Sequence, residues 1–212
     1  MHFHIITLFP EAFDSYFKAS IIGRAIKEGN IKVSFYNPRD FSRDSHKRVD
    51  RKPYGGGPGM VMEAEPVLRA VEKAIGKKKG VKGLFFTPSG KQFSNTYADS
   101  LTKYKHVVLL SGRYEGIDAR VRKILKAEEI SVGPYTLTGG ELPAMAVVDA
   151  VARRIPGVLG DELSVEERRV AGKDVYTRPE VLTWKRKKYK VPEVLTSGHH
   201  KEIEKWKARK KR

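Results

Sequence analysis

Residues 107–116 run Val107-Val108-Leu109-Leu110-Ser111-Gly112-Arg113-Tyr114-Glu115-Gly116. A short, unbroken apolar run followed at once by a glycine-bearing loop is the mark of a strand buried on both faces, since a half-exposed strand would alternate. The pattern recurs on either side. Leu84-Phe85-Phe86 precedes Thr87-Pro88-Ser89-Gly90, and Ile130-Ser131-Val132 precedes Gly133-Pro134-Tyr135-Thr136-Leu137-Thr138-Gly139-Gly140-Glu141. Phe3 to Phe9, closed by Pro10, is a further buried strand, and Ile31, Val33 and Phe35 alternate as another. Between them lie helical spacings: Phe13 to Ala25, stopping at Gly29-Asn30; Val67, Leu68, Val71 and Ile75; and the strongest, Glu141 to Arg153. Such alternation predicts an α/β fold with a mostly parallel sheet and helices on both faces. The loops at 87–90, 111–116 and 133–141 then share the carboxyl edge of the sheet, where open α/β folds bind ligands. Singly each is an ordinary turn; together they outline a small-molecule pocket.

The 212 residues, 40% of them apolar, suffice for a sizeable core. Lys and Arg number 42 against 25 Asp and Glu, a net +17 that calls for a polyanionic partner. Absence of cysteine excludes disulfides, thiolate metal sites and thiol nucleophiles. No apolar run approaches the roughly 20 residues of a membrane span, and Met1 to Ile6 is no export signal, so a cytoplasmic protein with no membrane partner is expected. The six histidines show no metal-ligand spacing on a helix face, and no metal-binding residue is assigned. A GxGxxG after the first strand and a Gly-x-Ser-x-Gly elbow are both missing.

Asn37 to Gly59 is polar and too long for an ordinary connection, hence disordered or functional. Its end, Pro53-Tyr54-Gly55-Gly56-Gly57-Pro58-Gly59-Met60, lets the backbone approach a ligand closely but lacks the Gly-Lys-Ser/Thr of a phosphate loop. Beyond Pro156 apolar periodicity fades. Residues 183–212 hold 12 Lys or Arg against 3 Glu, a net +9 interleaved with Trp184, Tyr189 and Trp206, which suits phosphate contacts and base stacking on RNA or DNA alike. The expected organisation is a core at 1–155, a linker at 156–180 and a short basic, helical element at 181–212.

Taken in order, Pro38-Arg39-Asp40-Phe41, residues 53–60, Ser111 to Asp118, Tyr135 to Pro143, Ile155-Pro156-Gly157-Val158-Leu159-Gly160 and Tyr176-Thr177-Arg178-Pro179-Glu180 resemble the bacterial tRNA (guanine-N1)-methyltransferases, a family of SPOUT methyltransferases. The likeness covers residues 1 to about 207. It implies a core whose C-terminal part is tied in a trefoil knot, a homodimer with active sites at the interface, and methyl transfer from S-adenosylmethionine to N1 of the guanosine at position 37, in the tRNA anticodon arm. The implied cofactor residues are Phe85, Phe86, Thr87, Pro88, Gly112, Tyr114, Glu115, Val132, Gly133, Pro134, Tyr135, Thr136, Leu137, Gly139, Gly140 and Pro143. Those implied for RNA are Asp50, Tyr54, Gly55, Gly56, Gly57, Arg113, Lys187, Lys188 and His200. Magnesium (Mg2+) is implied only as an accessory ion without a protein site.

The chemistry needs a base for the N1 proton and a cation near O6. Arg153 matches the family's guanine-supporting arginine. Where the family has its basic aspartate, this chain has Arg168, within Ser164-Val165-Glu166-Glu167-Arg168-Arg169-Val170, so the base is expected to be Glu167 or Glu166. Pro134 replaces the family's usual Asp, and the sequence stops before the family's last helices. An alternative expectation is therefore a catalytically impaired cofactor- or RNA-binding homologue.

Overall fold

The computed structural model describes residues 1–160 and 174–209. These fall in two compact units, one ending at Gly160 and one following it.

In the first unit β1 (His2–Ile6), β2 (Lys32–Tyr36), β5 (Val81–Gln92), β6 (His106–Leu110) and β7 (Glu128–Ser131) form one all-parallel sheet of order β2-β1-β6-β5-β7. Alternation sends Phe3 and Ile5 of β1, with Val107 and Leu109 of β6, into one core layer. That layer is closed by α1 (Asp14–Phe17), α2 (Ser20–Lys27), α4 (Asn95–Leu101) and α6 (Glu141–Ala152). The opposite face carries Ile6, Val108 and Leu110 under α3 (Ala64–Ile75) and α5 (Ala119–Leu125). Leu84 and Leu109 are fully buried, and truncating either to Ala costs about 2–5 kcal/mol. Side chains place the helix starts: Ser94 accepts from the Tyr97 amide (3.2 Å) and Asp118 from that of Arg120 (2.9 Å).

Three features depart from the sequence expectation. The first helical stretch is broken into a 3-10 turn at Pro10–Phe13, then α1 and α2, with the break at Ala19, which is extended, and Ser20, at φ of 49°; the turn brings α2 so near the Lys18 carbonyl that a Cβ on Gly23 would lie 2.7 Å from it. The polar stretch after Asn37, expected to be either disordered or functional, is not disordered: it holds a 3-10 turn (Pro38–Phe41) and a small antiparallel pair, β3 (Asp50–Arg51) with β4 (Val61–Met62), joined by the glycine loop.

The third departure lies in the second unit, where the basic element expected to be helical opens with a hairpin, β8 (Val181–Trp184) and β9 (Lys187–Lys190), before α7 (Glu193–Thr196) and α8 (His200–Arg209). Val181, Thr183 and Trp184 favour extended backbone. The two-residue connection, Lys185-Arg186, has φ of 47° and 64°, the mirror-image turn that usually carries Asn-Gly. Nothing in its composition advertises that turn. The Tyr176 ring lies 6.3 Å from that of Trp206, within this unit.

Candidate active site

At the carboxyl edge of the sheet the loops after β5, β6 and β7 enclose a crevice of about 400 Å3. Its walls are Phe85 to Pro88, Gly112 to Ile117, Ser131 to Gly133 and Tyr135 to Gly140, with Pro143 from the first turn of α6. The loops are clasped to one another by backbone. The Gly140 amide donates to the Gly112 carbonyl (2.9 Å), and the Ser111 hydroxyl donates to the Gly140 carbonyl (3.1 Å). A Cβ on Gly140 would sit 2.5 Å from Ser111 Cα, and one on Gly90 2.6 Å from the Ile130 nitrogen. Those two approaches require glycine for space rather than for a left-handed backbone.

Every residue expected at the cofactor lines this crevice except Pro134. Pro134 is exposed at the tip of the loop, where the Tyr135 hydroxyl folds back to donate to the Val132 carbonyl (3.4 Å) and carries the chain past the wall. Ile117, Ser131, Thr138 and the ion pair of Arg122 with Glu129 also line the crevice, and were not anticipated. Position just beside a strand-end glycine loop is the one signal that marks them.

Arg113, expected to contact RNA, also stands on the wall. Its Nε lies 3.0 Å from Oε2 of Glu141, whose side chain is 6% exposed, and its guanidinium lies 4.5 Å from the centre of the Phe9 ring. The Nε–H is not aimed at the oxygen, so charge rather than a directional hydrogen bond holds the pair. Thr7 donates to Oε1 of the same carboxylate at 2.9 Å. Glu141, at a helix start, looks like an ordinary dipole-complementing acid in the sequence; burial makes it the anchor of the rim.

The remaining expected residues are dispersed. Tyr54, Gly55, Gly56 and Gly57 are exposed, the three glycines at φ of 82–107°, while Asp50 is partly covered in β3. Gly59 approaches the crevice: a Cβ there would meet the Glu115 carboxylate at 2.4 Å. Lys187 and Lys188 on β9, and His200 at the start of α8, are exposed in the second unit. Arg153 is the C-cap of α6 and is not part of the crevice wall of its own chain. The reason is length: the 12-residue helix between them spans about 18 Å. Glu166 and Glu167 lie outside the described residues.

A parallel α/β sheet whose carboxyl edge holds a glycine-walled crevice of ligand size defines a small-molecule-binding enzyme core. The chain belongs to the tRNA (Guanine-1)-methyltransferase TrmD family, whose model matches residues 1–212. It is 47% identical to the tRNA (guanine-N(1)-)-methyltransferase of Mannheimia succiniciproducens, over 95% of this chain and 80% of that one. It is 48% identical to that of Pelotomaculum thermopropionicum, over 99% and 84%, and 44% identical to that of Clostridioides difficile, over 97% and 90%. No helix among the described residues is long and apolar enough to cross a membrane.

Proposed function

We propose that the protein transfers the methyl group of S-adenosylmethionine to N1 of guanosine 37 in the tRNA anticodon arm. The observation that carries this is the crevice, in a chain of this family: three glycine-bearing loops, crossing so closely that Gly140 has no room for a Cβ, enclose a space of ligand size. Its volume of about 400 Å3 falls within the roughly 300–1,000 Å3 of small-molecule sites. Backbone at Phe85 to Pro88, Gly112, and Val132 to Gly140 would hold the cofactor, with Ile117 and Leu137 against its apolar parts. When bound, S-adenosylmethionine supplies an electrophilic methyl on a sulfonium.

The chain's task is then to make N1 nucleophilic. Neutral guanine carries a proton on N1, so a carboxylate must take it while a cation stabilises charge gathering on O6. Glu167 or Glu166 is the proposed base and Arg153 the proposed cation. Because Arg153 stands a helix length from its own crevice, it serves the crevice of a second copy, which supports a homodimer with shared sites. The crossing of 139–140 over 111–113 supports the family's trefoil knot in this core. Lysines of the second unit, Lys187 and Lys188 among them, are proposed to grip tRNA phosphates, and the large positive charge supports that partner. Magnesium gains no support among the described residues, where the one grouping of three potential metal ligands consists of histidines.

Labelled S-adenosylmethionine and two tRNA transcripts, differing only in guanosine or adenosine at position 37, test the proposal. Label on the guanosine transcript alone is expected; equal label on both would overturn the assignment of the target base.

A further inference from the structure

At the amino edge of the sheet, a strand's length from the crevice, three imidazoles converge. His2 and His4 are alternate residues of β1 and so share the face toward α3, and the parallel register sets His2 beside His106 of β6. One nitrogen of each ring lies within 4.8 Å of those of the other two. His4, fully buried, has Nε2 at 3.1 Å from Nδ1 of His106; the His2 and His4 rings are 3.8 Å apart between centroids. The outer nitrogens are met by hydroxyls of β2: Nε2 of His2 lies 2.9 Å from Ser34 Oγ, and Nδ1 of His4 lies 3.4 Å from the Tyr36 hydroxyl. A hydrogen-bond acceptor behind each imidazole fixes tautomer and ring orientation in histidine metal sites, and these hydroxyl oxygens can accept from the outer N–H groups.

We propose that His2, His4 and His106 form a binding site for a divalent transition-metal ion of the zinc, cobalt and nickel class. Three imidazoles with no carboxylate suit these borderline ions and not magnesium or calcium. Three protein ligands leave one position of a tetrahedral ion for water. Metal–nitrogen bonds of about 2.0–2.1 Å set the ligand nitrogens roughly 3.4 Å apart. The His4–His106 pair is already that close, and His2, partly exposed, closes by ring rotation. The hydrogen bond between His4 and His106 requires a proton on one facing nitrogen; that ring moves its proton to its other nitrogen as the ion enters, so none is released.

Burial, then neighbouring positive charge, holds His2 down at about 4 and His4 at about 3, so both rings offer lone pairs at neutral pH. The same charges, Lys32, Lys78 and the Met1 amine, oppose a dication, although Lys78 is itself drawn to the α3 carboxyl terminus, donating to the Ala74 carbonyl at 3.0 Å. The bound ion would tie β1 to β6 far from the chemistry; the site does not depend on the methyl-transfer reading.

The test uses untagged, chelator-stripped protein titrated with Co2+ and followed by visible absorption, with displacement by Zn2+. One Co2+ per chain with strong ligand-field bands and a raised Tm is expected. H2Q/H106Q should bind more than about 100-fold more weakly while retaining its circular dichroism and methyl transfer; even outer-shell partners are worth about 10- to 100-fold. Should the double variant fold poorly, the single His106→Gln, at a partly exposed position, should still lose at least about 10-fold. Absence of stoichiometric uptake by the wild-type protein overturns the site. So does undiminished uptake by H2Q/H106Q, which would assign the ion to His46, His199 or His200 instead.

Discussion

At the carboxyl edge of the sheet the crevice is shaped by loop backbones that cross so closely that only glycine fits at position 140, whereas at the amino edge, about 15 Å back along the same strands, the surfaces that meet are imidazole rings. The first edge is made by long loops that clasp one another, the second by strand register alone. A backbone-walled site tolerates changes of polarity and fails on added volume; a site built of side chains fails on changes of donor atom. The family's chemistry is assigned to the former, and the latter keeps its residues clear of it.

Volume at the carboxyl edge should have the largest effect. Gly140→Ala places a methyl 2.5 Å from the Ser111 backbone and should weaken S-adenosylmethionine binding by up to about 100-fold in calorimetry, since overpacking of this kind costs about 1–3 kcal/mol. Gly160→Ala, with nothing within 4 Å, is the matched control and should bind normally. Equal binding by both would collapse the contrast between the edges.

Next in size is the buried anchor of the rim. Glu141→Ala strands the Arg113 charge and the Thr7 hydroxyl and should cost about 3 kcal/mol, seen as a Tm lower by roughly 6–12 °C. Glu141→Gln, which can still accept from Thr7, should lose less; if it loses as much, the ion pair rather than the hydroxyl contact dominates.

Acid should act at the opposite edge. An unfolded histidine takes up a proton near 6.5, while His2 and His4 refuse it down to about 4 and 3 in the folded protein. The unfolded state thus binds more protons in that window, and stability falls as pH drops from 6.5 toward 4. Metal-free protein should lose at least about 5 °C of Tm between pH 7 and pH 5. H2Q/H106Q should lose distinctly less, and an identical slope would remove the cluster from the acid response.

The smallest effect is expected away from both edges. Lys187→Ala and Lys188→Ala should each lower the slope of log affinity for tRNA against log salt by about 0.7–0.9. An unchanged slope would take β9 out of the RNA contact.

How much of this was legible in the sequence follows the same division. Leu84 to Phe86, Val107 to Leu110 and Ile130 announce their strands because both faces are buried, and the glycine loops after them announce the crevice. Sheet order is not written locally, since β6 comes to lie between β1 and β5 only through tertiary pairing. For that reason the histidines show no grouping in the sequence: His4 and His106 are 102 residues apart, and helix-face spacing has no access to strand register. Glu141 hid as a helix-start acid, and the β8–β9 turn hid because Lys185-Arg186 carries none of the usual turn residues. Arg153 was placed by likeness, and its distance from the crevice of its own chain emerges only once α6 has a length.

The clasp of residues 139–140 on 111–112 also bears on synthesis. The sheet's first four strands are complete once residue 110 has been made, yet the crevice lacks the wall from Ser131 to Pro143 until that segment leaves the ribosome and seats. An interrupted chain can therefore be well folded in part and still have nothing with which to hold the ligand. Ligand capture thus marks a chain made at least as far as Pro143, and stalled fragments that end before it lack a complete site with which to compete for the ligand.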